Sequence, residues 1–230
     1  MSLVAASFAQ AEILVDYDDG DGNNGIHDAS IRNGGFEENV IADPPAPPGG
    51  TLSFDNTNNW YNIGTGAQAG EAINNNSNFA GLSPQTGVLA ESPTRVFGMD
   101  TGYTLSTGDE INFSLFWRDA FNWNDGLDQV TFSIFTTVDD TIDGAVDQTL
   151  TSIAPLSTSN NTFEEFSDTL VATGAMDGKN MFISISNIDG NPTGNLGFAR
   201  IDNVFVEAVP EPSSLALLGL GGLLIARRRR

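Results

Sequence analysis

Residues 110–118 set the pattern followed by most of this chain. The run Glu-Ile-Asn-Phe-Ser-Leu-Phe-Trp-Arg alternates, so Ile111, Phe113, Leu115 and Trp117 share one side and Asn112, Ser114, Phe116 and Arg118 the other. A period of two is the signature of a strand with one face in a core, and it assigns Trp117 to that core. Gln129–Val138 repeats it, with Val130, Phe132, Ile134 and Val138 opposed to Thr131, Ser133, Phe135 and Thr137. The same reasoning predicts strands at Ile13–Tyr17, Ile31–Glu37, Arg95–Met99, Gln148–Ile153, Phe163–Val171, Met181–Ser186 and Phe198–Val206. Helical periodicity is missing from this stretch. Nearly every connection is rich in Gly, Asn, Asp, Ser or Pro, which is turn chemistry. Short alternating strands at regular spacing predict an all-β fold, an antiparallel two-sheet β-sandwich over residues 12–208. The Pro-rich run Asp43–Gly50 reads as an extended loop within it.

Charge narrows the partners. The chain has 9 basic and 30 acidic residues, and four of the basic ones are the last four residues. The rest therefore carries 5 basic against 30 acidic side chains, a net of −25. Such a surface repels nucleic acid and anionic lipid and attracts divalent cations. With 0 cysteines there is no disulfide framework, thiol catalysis or Cys-ligated metal. The single histidine, His27, lies in an acidic loop, so Ser-His-Asp and histidine-zinc constellations find no support. Two carboxylates suffice for a glycosidase, yet nothing in the sequence singles out a pair. The chain is expected not to be an enzyme.

The end of the chain departs from the strand pattern. Pro210-Glu211-Pro212 precedes an apolar run from Leu215 to Ala226, and Arg227, Arg228, Arg229 and Arg230 close the chain. The run has no polar face, so it reads as a short hydrophobic helix for a membrane, although it falls short of the roughly 20 residues that span a bilayer comfortably. Four arginines resist translocation, which places the C-terminus on the cytoplasmic side and the body outside. This order of features resembles the PEP-CTERM sorting signal of Gram-negative, exopolysaccharide-producing bacteria. The resemblance implies export, transient anchoring in the inner membrane by a transmembrane-like helix, and processing by exosortase. Pro210, Glu211 and Pro212 would then be the recognition element and Arg227–Arg230 the membrane stop, within a signal covering 209–230. At the other end, residues 1–11 read as the end of a signal peptide, with Ala9-Gln10-Ala11 fitting small-x-small cleavage.

A second resemblance lies in the body. Asn33-Gly34-Gly35-Phe36-Glu37, Trp60, Tyr103–Asp109 and Ile201-Asp202-Asn203-Val204 together look like a jelly-roll carbohydrate-binding module. In that fold the first and last strands lie side by side and share a structural calcium, which implies Glu37 and Asp202 as Ca2+ ligands with a backbone carbonyl near Asn33. Alternatively, Asn-Gly-Gly is a plain turn and both acids are solvated. The denser acidic loop Asp16–Asp28 approaches an EF-hand pattern from Asp19, but its glycine comes one place late and Ser30 stands at the twelfth position, so a flexible turn is the simpler reading. Sugar binding calls for aromatic platforms beside hydrogen-bonding groups. Trp123, flanked by Asn124 and Asp125, and Trp60 are the candidates, with Trp60 equally suited to the core. The expectation is an exported cell-surface or extracellular-matrix protein with a structural or adhesive role. The alternatives are a carbohydrate-binding module for exopolysaccharide and a glycoside-active enzyme.

Overall fold

The computed structural model describes residues 10–17, 32, 34–36, 60–64, 71–74, 85–90, 96–119, 129–156, 163–188 and 198–211. They form the all-β, two-sheet antiparallel sandwich that the alternation predicts. One sheet contains β1 (Glu12–Val15), β3 (Glu71–Asn74), β4 (Gln85–Ala90), β6 (Glu110–Asp119), β9 (Glu164–Val171) and β11 (Phe198–Val209). Its order is β3-β4-β11-β6-β9, with β1 also paired to β11. The other sheet has the order β2-β5-β10-β7-β8, built from β2 (Tyr61–Asn62), β5 (Val96–Thr104), β7 (Gln129–Thr137), β8 (Val146–Ile153) and β10 (Asn180–Ile188). Only β3–β4 and β7–β8 pair with their sequence neighbours. Elsewhere the chain crosses between sheets, which is why the fold is jelly-roll-like rather than a meander.

The inner faces follow the period of two. Ile111, Phe113, Leu115 and Trp117 of β6 are at most 3% exposed and meet Val130, Phe132 and Ile134 of β7 across the sandwich. Phe113 stacks on Phe132 with centroids 3.9 Å apart, and Phe166 of β9 meets Phe113 edge-on at 5.1 Å. Each such ring contributes about 1.5–3 kcal/mol by burial. A second aromatic group joins Phe36, Trp60 and Phe97 at centroid separations of 5.2–5.7 Å.

Three expectations need correcting. Val138 is 70% exposed, because β7 ends at Thr137 and Thr136 occupies the last inward position. The described part of Ile31–Glu37 forms a turn instead of a strand, with positive φ at Arg32 and Phe36. β2, β3 and β4 lack a clear alternating run and were not foreseen. The predicted C-terminal helix, most of the signal-peptide segment, the Pro-rich run and most of the acidic loop lie outside the described residues.

The turn at 32–36 has a structural purpose. β6 flanks β11 along 199–209, whereas the other side of β11 is shared end to end by β4, pairing at 198–201, and β1, pairing at 206–208. Between them β11 bulges: Asp202 faces Phe116 and Phe205 faces Ser114, one residue too many for the partner strand. Asn203 absorbs the excess in a left-handed conformation, φ +49°. The Val204 amide donates to the Gly34 carbonyl at 2.9 Å, and the Gly34 amide donates to the Asp16 carbonyl at 3.2 Å. A side chain at Gly34 would collide with the backbone carbonyls of Val204 and Asp16, so only glycine fits. Arg32 fastens the turn by donating from Nη1 to the Leu14 carbonyl at 2.7 Å.

Candidate functional site

The outer face of the six-stranded sheet is built from the residues that alternate with the core. Trp117, Ala199 and Ile201 point inward and are buried, so Arg118 and Arg200, which are partners across β6 and β11, point outward together. The next outward row is Asp202, Phe116 and Glu165, followed by Phe205, Ser114 and Ser167, then Glu207, Asn112 and Thr169. Phe116 and Phe205 are half-buried, as is Phe163, whose ring lies 5.2 Å from the Arg118 guanidinium carbon. The Thr169 hydroxyl donates to Asn112 Oδ1 at 2.7 Å. This is a polar face inlaid with partly open aromatic rings, the mixture that sugars need.

Two partly buried arginines side by side repel each other even in an acidic chain. Burial, and next the neighbouring Arg200 charge, lower Arg118 to about 10, and burial lowers Arg200 as well. Both stay charged at neutral pH. Asp202 is buried in the bulge one row away, and its Oδ1 accepts the Asn203 amide at 2.8 Å. Among the described residues no group of three or more His, Cys, Asp or Glu is arranged to hold a metal.

A second functional feature lies where β11 ends. Val209 is its last residue and Pro210 follows directly. The turn at 105–109 receives the emerging chain: the Glu211 amide donates to Asp109 Oδ1 at 3.4 Å, and the Glu211 side chain lies against Gly108, whose φ is +90°. Asp109 is itself fixed, 1% exposed, accepting at Oδ2 the Tyr103 hydroxyl at 2.9 Å and the Ser106 amide at 2.8 Å. Burial, and then that bond to Asp109, hold the Tyr103 phenol far above its ordinary range. Pro210 and Glu211 therefore leave the sandwich against this turn.

Residues 208–230 match the PEP-CTERM protein-sorting motif. The chain carries a PEP-CTERM sorting signal. That signal implies an exported protein that crosses the membrane and is processed by exosortase. Among the described residues no helix is long and apolar enough to cross a membrane. Pro210 and Glu211 are described, whereas Pro212 and Arg227–Arg230 lie outside the described residues.

No curated protein matches the chain. Its structural neighbours include jelly-roll domains of the carbohydrate-binding-module kind. The CBM22-1–GH10 modules of Clostridium thermocellum xylanase 10B are 16% identical at a TM-score of 0.45, over 70% of this chain and 27% of that one. A Fischerella cyclase is 16% identical at a TM-score of 0.46, over 78% of this chain and 94% of that one. A putative sugar-binding protein from Bacteroides thetaiotaomicron is 10% identical at a TM-score of 0.43, over 76% and 97%. None of these likenesses carries a ligand or a reaction over to this chain.

Of the residues singled out in the sequence, Trp60 is a core residue. It is 1% exposed and stacked on Phe36 with planes 22° apart, so no ring face remains for a sugar. Trp123, Asn124, Asp125, Asn33 and Glu37 lie outside the described residues. Arg118, Arg200, Phe116 and Phe163 were not singled out as a site. The signal was present in β6, whose polar side contains an aromatic and an arginine where serine and asparagine would serve a plain solvated face.

Proposed function

We propose that this is a non-catalytic adhesive module, exported and sorted by its PEP-CTERM signal to the cell surface or matrix, where it holds exopolysaccharide. The observation that carries this reading is the outer face of the six-stranded sheet, with Phe116, Phe163 and Phe205 set among Arg200, Glu165, Ser114 and Asn112. A pyranose presents an apolar face to a ring and hydroxyls to the surrounding donors and acceptors. The test is electrophoresis of the full chain in mild detergent through gels containing a soluble polysaccharide. Retardation is expected, and Phe116→Ala should abolish it while lowering the melting temperature by only about 2–4 °C. Equal mobility with and without glycan, across neutral and acidic polysaccharides, would remove the adhesive reading.

A second reading concerns the bulge. Asp202 is buried beside the Gly34–Val204 bond, and Asn33 and Glu37 flank that same turn in sequence. Oxygen donors at a strand irregularity suit a hard cation, and Ca2+ held by Glu37, Asp202 and the Asn33 carbonyl would clamp the first strand to the last. An ion that binds only the folded state adds about 2.7 kcal/mol at a hundredfold excess over Kd. Chelation should lower the melting temperature, and Asp202→Asn should be insensitive to it. Superimposable melting curves with calcium and with chelator exclude the clamp.

A further inference from the structure

Resting on the reading of the six-stranded sheet as the glycan face, we infer that Arg200, beside Arg118, is a carboxylate-binding subsite that selects a uronic acid unit of the polysaccharide.

Three observations converge on Arg200. Its Nη1 is buried and has no hydrogen-bond partner among the described residues. A guanidinium nitrogen removed from water and left unbonded costs about 1–3 kcal/mol or more, so such groups call for an acceptor. Arg200 is also the cross-strand partner of Arg118 on the outward face, so two positive charges adjoin in a body of net −25. Like charges side by side repel, and an anion bound at Arg200 relieves that repulsion. Finally, Arg200 is half-buried while Arg118 is 4% exposed with Phe163 against its guanidinium, so Arg118 forms the floor and Arg200 the open rim. Burial lowers the proton affinity of both arginines, and the neighbouring Arg200 charge lowers that of Arg118 further.

The surroundings decide which anion fits. A guanidinium fork takes a planar carboxylate through two parallel bonds. The next row adds the half-buried Phe116 and the exposed Glu165, a ring for a sugar face and an acceptor for its hydroxyls. Nucleic acid and other dense polyanions are repelled by the acidic body. A single carboxylate on a mostly uncharged sugar chain meets both conditions.

The experiment follows thermal unfolding and calorimetric titration of the full chain in mild detergent. The probes are digalacturonate, its neutral methyl ester and sodium sulfate. Because the four C-terminal arginines also attract anions, each measurement is compared with the Arg200→Met chain, which keeps them. Digalacturonate should raise the melting temperature of the parent chain and leave that of Arg200→Met unmoved, with affinity reduced at least tenfold. Arg200→Lys, which keeps charge without the fork, should fall between. Without ligand, Arg200→Met should melt no lower than the parent, since it removes an unpaired buried donor. Equal digalacturonate shifts in parent and Arg200→Met overturn the subsite, and so does sulfate matching digalacturonate at equal concentration. If the methyl ester binds as tightly as the acid and Phe116→Ala abolishes both, the carboxylate selection fails while the glycan face stands. If neither sugar binds, both fail.

Discussion

The two sheets share one core and differ on their outer faces. On the five-stranded sheet the central outward groups pair with one another, although Ile153 and Ile188 at one end are exposed. Thr131 bonds Ser186 at 2.5 Å, Ser133 bonds Thr151 at 2.7 Å, and Phe135 packs against Phe182 with centroids 5.4 Å apart. Phe182 is 0% exposed although it points away from the main core, and Ile63 covers Gly98 nearby. On the six-stranded sheet the rings at the same depth are partly open, and Arg200 Nη1 is buried with no hydrogen-bond partner among the described residues. A face whose groups satisfy one another is structural scaffolding. A face that leaves rings partly open and Arg200 Nη1 without a bond is the one on which the proposed ligand is placed.

Truncating an outward phenylalanine in each sheet should separate the faces most clearly. Phe182→Ala should cost about 3–5 kcal/mol, as in a core, because its site is closed. Phe116→Ala should cost about 1 kcal/mol, since a half-buried ring loses less on removal. Chemical denaturation of both variants decides it, and equal losses would erase the distinction between the faces.

The smallest expected effect lies where the sheets meet at their edges. The Ser152 hydroxyl of β8 donates to Asp168 Oδ2 of β9 at 2.5 Å, and the Thr169 amide donates to Oδ1 at 2.8 Å. The serine bond first, and the amide second, hold the Asp168 carboxyl below its ordinary range. A depressed carboxyl favours folding above its unfolded value near 4, and the benefit is lost as pH falls through the folded value. Asp168→Asn should therefore cost only a few tenths of a kcal/mol at pH 7, as an exposed link, and progressively less as pH falls through the folded value. A difference from the parent that stays constant across that range would show that the carboxylate charge plays no part.

The sequence disclosed those elements whose chemistry is local. β6 and β7 announce themselves because each alternates over eight or more residues, and the inward placement of Trp117 follows from its neighbours alone. The sorting signal was legible for the same reason, as a short contiguous order of unlike features. The arginine pair was not, because it depends on the register between β6 and β11, whose members are 82 positions apart in number, Arg118 and Arg200. Trp60 resisted a single reading because its burial depends on Phe36 and Phe97, neither adjacent in sequence. The segment Ile-Arg-Asn-Gly-Gly-Phe-Glu reads as a strand because nothing in its composition reveals the positive φ at Arg32 and Phe36 or the bond from the distant Val204 amide.

β11 has a consequence for how the molecule comes into being. It lies inside the larger sheet, in contact with β1, β4 and β6, and it is the last strand of the fold to be synthesised. Until it emerges, β4 and β6 each lack a partner on one side and β1 has none to join, so three open edges wait for one late segment. Closing the sheet brings Glu12 beside Ala208, across nearly the whole body. Contacts this distant in sequence form slowly. The strand that closes the larger sheet is also the one that runs directly into the sorting motif, since β11 ends at Val209 and the motif covers 208–230.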